Sequence, residues 1–211
     1  MTESSPPATR DGIAFTAEEE RAAYRTMLLI RRFEEKAGQL YALEAIHGAC
    51  PLAIGQEGAI VGLMMAARET DPVITNHRTH GVLLARNADP VRIMAELLGR
   101  SSGLSRGKGG TARMFAPEHH YYGGHGVAGL NVSLATGLAF ASRYRGDDAV
   151  TLCFYGDGAA ARGRVFEAYR LAANRKLPIV FVVDNNTATP GAGVVLGAVP
   201  SAISESGTPV A

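Results

Sequence analysis

VTLCFYGDGAAARGRVFEAYRLAANRKLPIVFVVDNN, residues 150–186, decides the fold. Val150 to Tyr155 is a short apolar run rich in β-formers and predicts a buried strand. Ala159 to Lys176 carries Val165, Phe166, Tyr169, Ala172 and Ala173 at helical spacing. Pro178 stops that helix, and Ile179 to Val183 predicts a second buried strand. Strand, helix and strand at this spacing form a βαβ unit, whose two strands run parallel.

Parallel strands bring both carboxyl ends to one edge of the sheet. Asp157 follows the first strand and Asn186 the second, so a carboxylate and an amide oxygen are expected to meet where open α/β sheets bind ligands. Gly156 and Gly158 leave space for a bulky group against the backbone. A helix starting after Gly158 directs unpaired N–H groups to the same point, which suits phosphate. Hard oxygen donors suit Mg²⁺ shared with a ligand's phosphates. Taken singly, Gly-Asp-Gly reads as a turn and Asn-Asn as a loop end. Together, one helix-sized crossover apart, they point to a cation–diphosphate site.

At 211 residues, 46% hydrophobic and 19% charged, the chain has apolar matter for one sizeable core. A net charge of +1 implies neither nucleic acid nor an anionic membrane as partner. No run approaches the ~18 apolar residues of a membrane span. MTESSPPATRDG at the start is polar and reads as a flexible tail rather than a targeting segment. Cys50 and Cys153 are too few and unpatterned for a disulfide scaffold, which fits a reducing cytoplasm.

Thr16 to about Ile46 is a long helical pattern, opened by a capping box of Thr16 with Glu19. Arg31, Arg32, Glu34, Glu35 and Lys36 on it read as a solvated charged face. His47 to Gly55 is a loop, and Gln56-Glu57 opens a helix to about Glu69, where Glu57 favours the macrodipole. Val73 to Thr75 is a short strand ending in His77-Arg78-Thr79-His80-Gly81, whose cationic side chains are either diphosphate ligands or structural. Asp89-Pro90 starts a helix over Val91 to Leu98, and GRSSGLSRGKGG, residues 99–110, fails the Walker A pattern and reads as a flexible loop. Gly124-x-Gly126-x-x-Gly129, with Asp147 beyond, superficially matches a dinucleotide fingerprint and supports a competing nicotinamide dehydrogenase reading. No predicted strand precedes those glycines, which counts against it. Asn131 to Tyr144 is an apolar helix leading into the central unit.

Gly-Asp-Gly followed after 26 residues by Asn-Asn resembles the thiamine-diphosphate signature. With MLLIRRFEEKAGQLY, HRTHG, YYGGHGVAG, FYGDGAA and KLP, the stretch from Tyr24 to Asn186 resembles the α subunit of the first component of 2-oxo acid dehydrogenase complexes, of pyruvate or acetoin dehydrogenase type. The resemblance implies an α/β thiamine-diphosphate-binding fold, a mostly parallel sheet flanked by helices, over 16–186, with 1–15 a flexible tail and 187–211 divergent. It implies an oxidoreductase that decarboxylates a 2-oxo acid and passes the acyl group to lipoamide, with thiamine diphosphate and Mg²⁺. Its partners would be a β subunit, in an α2β2 heterotetramer, and a lipoyl-bearing dihydrolipoyl acyltransferase.

By position, Arg78 would hold the terminal phosphate with His77 beside it, and His80 would lie near the reacting centre. Gly126 and Ala128 would hold the aminopyrimidine ring by backbone groups, while His125 is either a ligand or a loop histidine. Gly156, Asp157, Gly158, Ala159 and Asn186 would bind the cofactor, with Asp157, Asn186 and the Ala188 carbonyl as Mg²⁺ ligands. The chain departs from the family twice. Ala49 and Pro51 replace a Phe and a His at the substrate end, and proline's side chain cannot carry a proton. Beyond Asn186 the likeness fades where family chains continue, so a shortened, catalytically impaired homologue is a further reading.

Overall fold

The structure is a computed structural model, and it describes residues 15–185. In chain order the elements are α1 (Ala17–Ala42), α2 (Glu57–Ala66), β1 (Val73–Thr75), α3 (His80–Ala85), α4 (Pro90–Leu97), β2 (Tyr121–Gly124), α5 (Leu130–Arg145), β3 (Thr151–Gly156), α6 (Asp157–Ala160), α7 (Gly163–Arg175) and β4 (Ile179–Asp184). The sheet has the order β2-β1-β3-β4, and every pairing is parallel. The predicted βαβ unit is present, with Thr151 level with Ile179 and Gly156 level with Asp184.

Alternation along the strands explains the layers, because successive side chains point to opposite faces. Val73, Leu152 and Phe154 face a core built with Ile30, Phe33, Ile60, Leu83 and Ile93 from α1 to α4. Ile74, Cys153 and Tyr155 face the other way, against Val132 and Ala135 of α5 and Val165 and Ala168 of α7. Helices on both faces make the central strand β3 and its neighbour β4 near-continuous apolar runs, as parallel strands usually are.

The Thr16 capping box forms as the sequence indicates, with the Glu19 N–H donating to Thr16 Oγ1 at 3.2 Å and the Thr16 N–H to Glu19 Oε2 at 2.7 Å. Asp89 caps α4 by accepting from the Val91 N–H at 2.9 Å. Five expectations need correction. The helix expected over Ala159–Lys176 is α6 and α7, separated where Arg162 takes an extended backbone, φ −79° and ψ 136°. His80–Ala85 is a helix; almost wholly buried, it lacks the polar face by which sequence periodicity reveals one. Tyr121–Gly124 is a strand, so the glycines of residues 124–129 do follow a strand. Its polar and aromatic composition hid it, but Tyr121 is fully buried and its hydroxyl meets Thr75 Oγ1 at 2.6 Å.

The remaining corrections concern charged groups. Arg31 and Glu34 are not part of a solvated face: Arg31 Nε donates to Glu57 Oε1 at 2.6 Å, joining α1 to α2, and Glu34 is fully buried. Residues 99–110 are not a loose loop. The buried Glu96 carboxylate accepts from the backbone N–H groups of Ser105, Gly107 and Gly109 at 2.7, 2.8 and 2.7 Å. Among the described residues no helix is long and apolar enough to cross a membrane.

Candidate functional site

Strand order places the site. The chain passes from β1 to β2 on one side, then to β3 on the other, so the sheet has its topological switch point between β1 and β3. Crevices outside the carboxyl ends of strands at such a point bind ligands. There β1 delivers Asn76, His77 and Arg78, and β3 delivers Gly156 and Asp157. A Cβ built on Gly156 would lie 4.0 Å from Asn76 Nδ2 and 4.0 Å from the Asp184 carbonyl, so three strand ends converge within ordinary contact.

Asn76 organises the β1 side. Its Oδ1 accepts from the Arg78 N–H at 2.8 Å, a tight side-chain turn that lifts the arginine off the strand. Its carbonyl accepts from the His125 N–H at 3.1 Å and ties in the loop after β2. Arg78 Nη1 donates to the Leu52 carbonyl at 2.7 Å, which fixes the guanidinium and leaves its other donors for an anion. His77 is half-buried, and burial first, then the Arg78 charge, push it below its usual 6.5 while Asp184 pulls the other way. Burial and Arg113 lower His125 similarly.

Two further loops lock onto this edge. Thr79 Oγ1 donates to the Thr111 carbonyl at 2.7 Å, and Thr111 Oγ1 donates to the Ala49 carbonyl at 2.6 Å. Gly124 ends β2 where a Cβ would strike Thr79 Cγ2 and the Asn76 and Ala112 carbonyls, so a side chain there would push the loops apart. Gly129, at φ +78°, then turns the chain into α5.

The predicted residues are distributed as follows. His77 and Arg78 follow β1, and Gly156 and Asp157 lie at the end of β3, on either side of the switch point, with Asp157 half-buried. Gly158 is exposed, and Ala159 is buried in the core under α7, so only its backbone is available to a ligand. Gly126 and Ala128 are exposed in the loop after His125. His80 is fully buried and does not line the opening; its Nδ1 lies 3.0 Å from Glu34 Oε2, and its ring meets Phe33 edge-on at 5.8 Å. Glu34 Oε1 accepts in turn from the Ala53 N–H at 3.2 Å. Asn186 and Ala188 lie outside the described residues. Among the described residues no cluster of three or more His, Cys, Asp and Glu could hold a metal; a set of one carboxylate, one amide and one carbonyl is of another kind.

Sequence reasoning missed Asn76, Gln56, Asp184, Glu34 and Glu96. Only Asn76 carried a local signal, an Asn at a strand end next to an arginine. The others act through partners remote in sequence.

The sequence matches the family model described as "Dehydrogenase E1 component" over residues 25–193. The chain belongs to the dehydrogenase E1 component family. Its E1 relatives include the pyruvate dehydrogenase E1 component subunit alpha of Rhizobium meliloti (strain 1021), 54% identical over 85% of this chain and 52% of that one. The subunit of the same name from Zymomonas mobilis is 50% identical, over 87% of this chain and 52% of the relative. The somatic mitochondrial form from Pan troglodytes is 44% identical, over 91% and 48%. The chain spans about half the length of the curated E1 relatives it matches. E1 membership, rather than the lack of a strand before Gly124, is what sets the nicotinamide reading aside.

Proposed function

We propose that this chain supplies the diphosphate- and metal-holding part of the α subunit of a thiamine-diphosphate- and Mg²⁺-dependent pyruvate dehydrogenase. In that role it works with a β subunit in an α2β2 assembly and hands the acyl group to the lipoyl arm of an acyltransferase. The observation that carries the reading is the approach of Gly156, the residue before Asp157, to Asn76 at the β1/β3 switch point. The relatives' printed names favour pyruvate over acetoin as substrate. The free thiols Cys50 and Cys153 suit a reducing compartment such as the cytoplasm.

The residues present fit the cofactor. Nothing lies within 4 Å of a Cβ built on Gly126 or Gly158, so both backbones are open to a ligand. Thiamine diphosphate, when bound, supplies the electron sink for decarboxylating a 2-oxo acid. The chain's own work is positional and electrostatic. Arg78, clamped by Leu52, presents its remaining donors to the terminal phosphate. His77 would stand beside it, and Asp157, with Asn186 and the Ala188 carbonyl, would hold Mg²⁺. Gly126 and Ala128 present backbone groups to the aminopyrimidine ring. His80, buried on Glu34, acts by holding the loop that Ala53 anchors. Pro51 contributes no proton chemistry, so proton transfer at the substrate end falls to groups elsewhere in the assembly.

The test is calorimetric titration of thiamine diphosphate with Mg²⁺ or with chelator, into the chain alone and with a β subunit. Binding that needs Mg²⁺ and is lost in Asp157→Ala is the expected result. Binding retained in that variant, or independent of Mg²⁺, overturns the assignment.

A further inference from the structure

Residues 99–113 carry Arg100, Arg106, Lys108 and Arg113 and no acidic residue, and all four cations are exposed. Among the described residues none of the four forms an ion pair, whereas Arg31, Arg32, Arg68, Arg92 and Arg145 all do. Arg113 differs from the other three in where its backbone is fixed. Ser105 Oγ donates to the Arg113 carbonyl at 3.3 Å and accepts from the Phe115 N–H at 3.1 Å. A Cβ on Gly109 would strike the same carbonyl, so the two stretches lie in contact. Gly109 is itself tied to the buried Glu96 through its N–H.

The fixed segment runs along the edge of the site. A Cβ on Gly124, at the end of β2, would lie 2.9 Å from the Ala112 carbonyl and 2.7 Å from the Asn76 carbonyl. The residue before Arg113 and the turn that carries Arg78 therefore flank the same glycine. Met114 is fully buried, so Arg113 and Phe115 on either side of it face outward together. The Phe115 ring meets His125 edge-on, with 6.2 Å between centroids. Burial first, then the Arg113 charge, hold His125 below its usual 6.5, which sets the guanidinium beside that ring. His125 is thus neutral near pH 7, and Arg113 supplies the positive charge on the β2 side of the opening. Arg78 stands on the β1 side, with Gly156 and Asp157 across the switch point. A diphosphate held there leaves Arg113 for a second anion.

We propose that Arg113 binds the carboxylate of the 2-oxo acid, and so selects a charged substrate over its uncharged analogues. A guanidinium offers a carboxylate two parallel hydrogen bonds in a fixed fork. Thr111, two residues earlier, donates to the Ala49 carbonyl at 2.6 Å, so the same stretch leans on the segment carrying Pro51, whose side chain offers no charge. The inference rests on the reading of the chain as part of a thiamine-diphosphate-dependent 2-oxo acid dehydrogenase, and adds to it the residue that recognises the substrate's charge.

The experiment measures binding of pyruvate and of its uncharged ester, methyl pyruvate, to the full chain assembled with a β subunit. Mg²⁺ and the unreactive thiazolone analogue of thiamine diphosphate fill the site, so that pyruvate binds without turning over. Affinity is read from broadening of the ligand's methyl proton resonance. Arg113→Ala is expected to weaken pyruvate about 10- to 100-fold, the worth of a charge-assisted hydrogen-bonded pair, and to leave methyl pyruvate unchanged. Arg113→Lys keeps the charge without the fork and should recover part of the loss. Arg106→Ala, on the same basic stretch, should alter neither ligand. Pyruvate affinity unaltered in Arg113→Ala, an equal loss for both ligands, or weaker binding of the cofactor analogue in that variant overturns the inference and leaves the site reading intact. So does a wild type that binds the analogue with Mg²⁺ but not pyruvate. A wild type that binds no analogue, or binds it without Mg²⁺, overturns the site reading and this inference with it.

Discussion

His77 shows how one residue reports the chemistry of the whole edge. Burial and Arg78 hold its folded value below the usual 6.5. The neutral ring therefore contributes stability that is fully present above about pH 6.5 and is lost as pH falls through the lowered folded value. A diphosphate beside it acts in the opposite sense and draws the value back up. Cofactor binding near pH 6 should thus take up a proton, and affinity should rise on going from pH 7 to 6 even as the free chain loses stability. Calorimetry in buffers of different ionisation enthalpy measures the uptake, and His77→Gln is expected to remove its share. If the variant takes up as many protons as wild type, His77 does not face the phosphate. Cys50 offers a simpler check. Burial first, then Glu34, pushes its thiol up to about 11, so alkylation by iodoacetamide at pH 8 should be much slower than for a free thiol.

Elements here depend on buried carboxylates more than on propensity. Glu96 ends no chain of surface charges; it sits inside and satisfies three backbone N–H groups of the loop that reaches Thr111 and the site. Gly103 and Gly107 are required beside it, because a Cβ on Gly103 would meet Glu96 itself and one on Gly107 would meet Gly99. Glu96→Ala leaves those donors without an acceptor, at about 1–3 kcal/mol for each that water does not reach. A loss of roughly 3 kcal/mol in urea unfolding is expected, with Glu96→Gln losing about half as much because one acceptor oxygen remains. Glu34 is comparable: Glu34→Ala strands both His80 Nδ1 and the Ala53 N–H, and should cost about 2–4 kcal/mol. A cost under 1 kcal/mol in either case would mean that the loops hold themselves.

At the scale of the molecule, binding and folding are linked. Asp157, Arg78 and Asp184 lie on separate segments that only the folded sheet brings together, so a ligand bridging them binds the native state alone. Thiamine diphosphate with Mg²⁺ at about a hundred times its Kd then stabilises by about 2.7 kcal/mol. For a domain of this size that raises the melting temperature by roughly 5–10 °C. Asp157→Ala should show no such rise in a thermal melt monitored by circular dichroism, and an equal rise in both proteins would place the ligand elsewhere.

What the sequence determined by itself is what short-range physics can encode. The apolar runs at Thr151–Gly156 and Ile179–Asp184 and the capping box at Thr16 are local patterns, and each produced the expected element; the helical period between the strands produced α7, with α6 broken off before it at Arg162. Parallel pairing then follows from chain length and crossover, which is why Asp157 was legible as an edge residue. Tertiary structure alone decided the rest. Tyr121–Gly124 is a strand because β1 offers it backbone partners, not because its residues favour one. His80 is a core residue because Glu34 waits 46 positions earlier to receive it. Gln56 meets Asp184 because two helices and a sheet fold them onto one face. Such partners are separated by dozens of residues, and no local pattern records a contact whose other half lies that far along the chain.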